Sequence, residues 1–337
     1  MAKRLEEFDV LKGIGILLVV LGHCKIGDML SRIIFSFHMP LFIMVSGFFY
    51  YRQPPIAFLR KTTMRLLVPW LFFAGLNILY EFARNYGDIP DLRAAIVETF
   101  RMITPLDEEC DLLYRSIWFL VALFIVGNVY NLIRHVLSRF NMDGGRVLDG
   151  VVLVTYVIGY LLQLHLDLPF YLDTAISMIL FYHLGSVVRS LLPRVDMGSI
   201  WMSPWLSLLS FVALMCIPAL ALMPDVAIKT NDFPWWLPIF EIPVFIALYN
   251  MVSWLCKQAA LLPVRKLFVD CGKYSICFLG FHRIFLDAIY VVYGGFPRMS
   301  DAVNIIIYFV VLIPLVLWLS RFLEKHAPVL IGSKRKG

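Results

Sequence analysis

The sequence predicts an all-α, polytopic integral membrane protein of about ten transmembrane helices with both termini cytoplasmic. Three observations carry this. Of the 337 residues, 60% are hydrophobic and 16% charged, with a mean hydropathy of +0.79; an ordinary soluble domain is about 45–50% apolar and about 25% charged. Apolar runs of about 20 residues recur along the chain, the length a helix needs to cross a hydrocarbon layer about 30 Å thick. Basic residues gather in alternate connections, as they do on the cytoplasmic side of a membrane protein.

Taken in order, the apolar runs bounded by charge, Pro and Gly give spans at 9–25, 33–51, 66–82, 116–133, 147–165, 170–188, 201–223, 234–256, 274–293 and 302–320. The first follows Lys3 and Arg4 as the core of a signal peptide would, but it lacks a small-x-small cleavage site and many similar runs follow, so it reads as a retained span. The termini and the connections 52–65, 134–146, 189–200 and 257–273 hold most of the 30 Lys and Arg, which places them inside. The net charge of +6 therefore orients the chain in the bilayer and does not mark a nucleic-acid surface. The outer connection 83–115 is rich in acid (Asp88, Asp91, Glu98, Asp107, Glu108, Glu109, Asp111) and is either a solvated loop or a small extracytoplasmic cap. The six cysteines show no C-x-x-C pair and no metal spacing, and only Cys110 lies clearly in a loop. With no repeat or low-complexity tract, 1–337 reads as one membrane domain ending in a basic cytoplasmic tail, 321–337.

Ionisable side chains inside spans are costly, about 2.5–3.5 kcal/mol at a helix centre, and usually face a partner or an aqueous cavity. In the first span Lys12 and His23 lie eleven residues apart, about 16 Å, near one helical face at different depths. Lys12 either serves a site or snorkels to the inner interface; His23 is a site residue or a loop-edge histidine. The second span opens Phe35-Ser36-Phe37-His38-Met39-Pro40, so His38 returns to the depth of His23 across a short turn, with Pro40 stiffening or kinking the helix. Two histidines at one depth suit proton handling or ligand binding; with no third ligand at zinc spacing, no metal is expected. Lys61 and Arg65 form an i, i+4 basic pair at the inner boundary, fit to hold anionic phosphates or lipid headgroups. Glu241 lies inside the eighth span and His282-Arg283 inside the ninth, where pairing of Glu241 with Arg283 would reduce the cost of both. Arg115 and Trp118 enter the fourth span from outside, where Trp commonly anchors a helix at the interface. His135, His165 and His326 sit at loop edges, and His183 reads as a polar packing residue.

The stretch Phe8-Asp9-Val10-Leu11-Lys12-Gly13-Ile14…Gly22-His23, followed by Phe37-His38-Met39-Pro40-Leu41-Phe42…Ser46-Gly47-Phe48, resembles the membrane-bound acyltransferase 3 family, in particular its fucose 4-O-acetylase-like, surface-polysaccharide O-acetyltransferase branch. Lys12 and His23 fill the family's places for a basic residue and a histidine ten intervening residues apart. Lys61, Arg65 and Pro69, then Trp118-Phe119-Leu120, then Gly272…Ser275…His282 follow in the family's order. Many relatives have Arg where this chain has Lys12. Larger relatives carry an added C-terminal soluble domain not found here, which suggests a chain complete in itself.

The resemblance implies transfer of an acyl group, usually acetyl, from cytoplasmic acetyl-CoA to a sugar hydroxyl or similar acceptor at the outer face of the cell inner (cytoplasmic) membrane. On that basis His23 is the expected general base, with His38 orienting it, stabilising charge or sharing the role, and an acyl-histidine intermediate left open. Lys61, Arg65 and Lys12 are expected to bind the donor. Asp9, Ser46, Arg115, Trp118, Glu241, His282 and Arg283 are expected to line the substrate site or tunnel. The competing class is a secondary transporter or exporter of a polysaccharide intermediate, which inverted repeats would favour; none is visible.

Overall fold

The computed structural model describes residues 6–24, 28–84, 117–166, 168–191, 203–219, 237–292 and 301–333. Among them there is no strand. Helix covers part of every apolar run named above. In chain order the helices are α1 (Glu6–Gly22), α2 (Asp28–Phe48), α3 (Pro55–Thr62), α4 (Val68–Arg84), α5 (Trp118–Ser138), α6 (Gly145–His165), α7 (Leu172–Ser177), α8 (Ile179–Leu191), α9 (Pro204–Ala219), α10 (Leu237–Lys257), α11 (Leu262–Lys273), α12 (Ser275–Val292) and α13 (Asp301–His326). By length and apolarity, six helical runs among the described residues can cross a membrane: Met29–Phe48, Pro55–Arg84, Trp118–Ser138, Gly145–His165, Leu172–Leu191 and Leu237–Lys257.

Two of the connections between the expected spans are largely helical. Within 52–65, α3 begins behind Pro54 and Pro55, where a helix loses no bond to a missing N–H, and runs through a π-helical turn, Thr63–Leu67, into α4. Within 257–273, α11 also starts with a proline at its first turn and runs to a one-residue break at Tyr274 before α12. Apolar pattern alone starts both helical runs too late because these N-terminal extensions are polar and basic. At the other end of the chain, 321–333 is not free tail: α13 continues to His326, and the 3₁₀ turn Pro328–Ile331 follows with Ile331 buried. The connection 83–115 lies, apart from Ala83 and Arg84, outside the described residues, as do the tail's last four.

The axis of the molecule is α1. Phe8, Val10, Leu11, Ile16, Val19 and Val20 are all buried, because α2, α10, α11 and α12 pack around it. Against α2 it forms an antiparallel hairpin, with Phe8 on Phe48, Gly15 against Phe42 and Gly22 against Phe35. Against α11–α12 it lies parallel. Glu6 meets Arg265, Gly13 meets Gly272, and His23 meets His282, each pair at the same offset in residue number. Gly13 and Gly272 are what allow this approach: a Cβ on Gly13 would stand 2.0 Å from the Phe268 carbonyl oxygen, and one on Gly272 1.8 Å from that of Asp9. A second glycine contact, Gly47 against the Tyr182 backbone and Gly185 against that of Met44, seats α8 on α2 in the same way.

Candidate active site

The α1–α12 pairing brings the rings of His23 and His282 together, centroids 4.9 Å apart and nearly perpendicular. His38 is one step away: the Phe35 ring lies 5.6 Å from His23 and 5.3 Å from His38. The expected His23–His38 pair is therefore a group of three, in which His282 touches His23 and Phe35 bridges to His38. Sequence spacing gave no distance between the first and ninth spans, so that partner was out of reach of pattern alone.

In all three histidines Nδ1 bonds a main-chain carbonyl of its own helix: His23 to Val19 at 2.8 Å, His38 to Ile34 at 2.8 Å, and His282 to Phe278 at 2.9 Å. A carbonyl oxygen only accepts, so Nδ1 carries the hydrogen and the lone pair of each neutral ring sits on Nε2. His38 and His282 are 1% and 0% exposed, and Nε2 of His282 is buried with no hydrogen-bond partner. His23 is half-buried. Of the three it is the one a substrate can meet with its Nε2 lone pair.

Below the histidines, Lys12 pairs with Asp9 at 2.8 Å, and Asp9 is 4% exposed, so the Lys12 ammonium has a fixed buried counter-charge one turn away. Glu241 is 1% exposed and its Oε1 has no hydrogen-bond partner; among the described residues no ion pair joins it to Arg283, and the expected compensation between these two is not made. Arg283 is half-buried on the residue after His282. One turn on from it, Asp287 accepts from Tyr80 at 2.7 Å and Arg84 at 2.9 Å, tying α4 to α12. Ser46 is half-buried and donates to Phe42 of its own helix at 2.9 Å. Trp118 is not a lipid-facing anchor: it is 5% exposed and packs its ring on Tyr171, centroids 5.2 Å apart. Arg115 lies outside the described residues.

Lys61 and Arg65 are both on helix, Lys61 in the last turn of α3 and Arg65 within the π turn that leads into α4. Lys61 donates to Tyr51 OH at 3.0 Å, with its ammonium 4.2 Å from that ring; Arg65 is exposed, its backbone against Gly332. Among the described residues no group of three or more metal-ligating side chains comes together.

Sequence reading missed a polar network at the far end of α5, α6 and α8. His183, 5% exposed, contacts Tyr130 OH through Nδ1 at 2.9 Å and Asp149 through Nε2 at 3.1 Å. Beside it, Asn131 bonds Tyr50 OH at 3.0 Å and both backbone groups of Gln53. The packing role assigned to His183 describes part of this; its two polar partners lie 34 and 53 positions away in sequence.

An all-helical multi-pass membrane protein with a buried histidine group between its first and late helices is the class that fold and site define. The model of the acyltransferase 3 family, described as an acyltransferase domain, matches residues 5–323, and the chain belongs to that family. It is an acyltransferase. No curated protein and no solved structure matches it.

Proposed function

We propose that the protein is an O-acyltransferase of the cytoplasmic membrane, moving an acetyl group from cytoplasmic acetyl-CoA to a hydroxyl of a cell-surface glycan or lipid-linked sugar, as in the fucose 4-O-acetylase-like branch. The observation that carries this reading is the state of His23: a half-buried ring with its Nδ1 hydrogen committed to Val19, its Nε2 lone pair free to accept, and His282 against it. Nε2 of His23 takes the acceptor's hydroxyl proton as that oxygen attacks the thioester carbonyl. The tetrahedral intermediate then collapses, the C–S bond breaks, and the leaving thiolate regains the proton from His23. Arg283, beside this pair, supplies positive charge toward the developing oxyanion. His38 supports the group from behind Phe35. On the donor side, Lys61 and Arg65 hold CoA phosphates at the inner face and Lys12, set by Asp9, lies along the path between.

The test is acetyl transfer by the purified protein in lipid nanodiscs, with labelled acetyl-CoA and a panel of sugar acceptors. His23→Ala is expected to lose about 10²–10⁴-fold in turnover, the usual contribution of a positioned general base. Full activity in that variant overturns the assignment. Accumulation of a solute in vesicles without consumption of acetyl-CoA would instead favour the transporter class.

A further inference from the structure

The end of the bundle where α2 stops, α3 starts and α5 stops carries a second cationic site that the histidine chemistry does not use. Asn131 fixes it: its Oδ1 accepts from Tyr50 OH at 3.0 Å and Gln53 N at 3.2 Å, and its Nδ2 donates to Gln53 O at 3.1 Å, so the link after α2 is clamped to α5. This clamp sets Arg52 beside Arg134, one turn of α5 beyond Asn131's neighbours. Both guanidinium groups converge on a single oxygen, Oδ2 of Asp143, Arg52 in a short ion pair and Arg134 at 3.5 Å. Arg134 is under-satisfied there, since its Nε is buried with no acceptor. Lys61 flanks the pair on Tyr51, the residue before Arg52, and Asn128 holds α3 in place by bonding Thr62 at 2.9 Å.

Asp143 sits in the short link between α5 and α6, in which Asn141 takes a positive φ of 57° and after which α6 opens on Gly145 at a positive φ of 61°. It belongs to no helix, so it can leave the two arginines without disturbing the bundle. Two arginine forks on one carboxylate oxygen match the demand of a phosphate monoester, which offers three acceptor oxygens and up to two negative charges where Asp143 offers one.

We propose that Arg52 and Arg134 form a binding site for a terminal phosphate monoester, the 3′-phosphate of the CoA donor, and that Asp143 is the resident counter-anion which this phosphate displaces. The proposal rests on the acyl-CoA reading above. An anionic lipid headgroup shares the chemistry, and the experiment separates the two.

The experiment is equilibrium binding of CoA and 3′-dephospho-CoA to the full chain in nanodiscs of neutral lipid, and again with anionic lipid added. The native chain is expected to bind CoA about tenfold or more tightly than dephospho-CoA, as one or two charge-assisted bonds would give. Arg134→Gln and Arg52→Gln are expected to remove that preference while leaving dephospho-CoA binding nearly unchanged, a control that the variants fold. Asp143→Asn is expected to tighten CoA severalfold and dephospho-CoA hardly at all. Equal binding of both ligands by the native chain, or an unchanged preference in the arginine variants, overturns the proposal and leaves the donor assignment standing. So does loss of the preference on adding anionic lipid, which would assign the arginines to headgroups. Failure of the native chain to bind either ligand would instead remove the donor assignment itself.

Discussion

His183 is the buried histidine with a side-chain partner at each ring nitrogen, Tyr130 and Asp149, whereas each of the three site histidines bonds its own backbone through Nδ1. The contrast separates a structural histidine from candidate catalytic ones. Tyr130→Phe removes the hydroxyl but leaves Nδ1 of His183 buried without its partner, which costs about 1–3 kcal/mol. A lower midpoint of thermal unfolding in detergent, with turnover per folded molecule unchanged, is the expected result. The residue identities at the site were legible in the sequence: a lysine and histidines in apolar runs are costly enough to stand out. Their grouping was only partly so. Phe35 and His282 complete the cluster around His23, and neither contact follows from spacing within one helix.

At the scale of elements, the two glycine contacts and the π turn decide where side chains stand. Gly13→Ala or Gly272→Ala places a methyl group within 2.0 Å of a main-chain oxygen on the facing helix, and rigid backbone cannot yield as a side-chain tip does. Overpacking of this kind costs about 1–3 kcal/mol or more, and it separates α1 from α11–α12, whose alignment sets His23 on His282. Loss of both folded yield and turnover is expected; Gly75→Ala, where an added Cβ meets nothing within 4 Å, is the control expected to behave as the native chain. Each hydrogen bond of the π turn Thr63–Leu67 spans one residue more than in an α-helix. Inserting one alanine after Thr63, which a turn already widened by one residue cannot absorb again, should rotate α3, with Lys61, by about 100° about the helix axis relative to α4. A raised KM for the donor with little change in KM for the acceptor is the outcome that assigns this segment to donor binding. Helix existence was plain from the apolar runs. Helix limits were not, because α3 and α11 are polar extensions held by packing rather than by pattern.

At the scale of the whole molecule, the arrangement sets a basic end against a histidine centre. Arg52, Lys61, Arg65, Arg134 and Arg189 lie at the ends of α2, α3, α5 and α8, and Arg189 caps the end of α2 by donating to the Phe48 and Tyr50 carbonyls. If that end is cytoplasmic, as the distribution of basic residues indicates, single cysteines placed at Met142 and Ser333 in a cysteine-free background should react with an impermeant reagent only in opened cells. Labelling of both in intact cells would reverse the orientation.

The sequence by itself determined that the chain is helical and membrane-embedded, because mean hydropathy and run length depend only on which residues follow one another. It also picked out the polar residues that membrane burial would make expensive. Which of these meet was decided by tertiary packing alone. The His23–His282 contact depends on a helix alignment set by Gly13 and Gly272, and the Arg52–Asp143–Arg134 contact depends on a clamp through Asn131. Both are long-range contacts, and a one-dimensional pattern carries the period of each helix but not the rotation and depth at which two helices face each other.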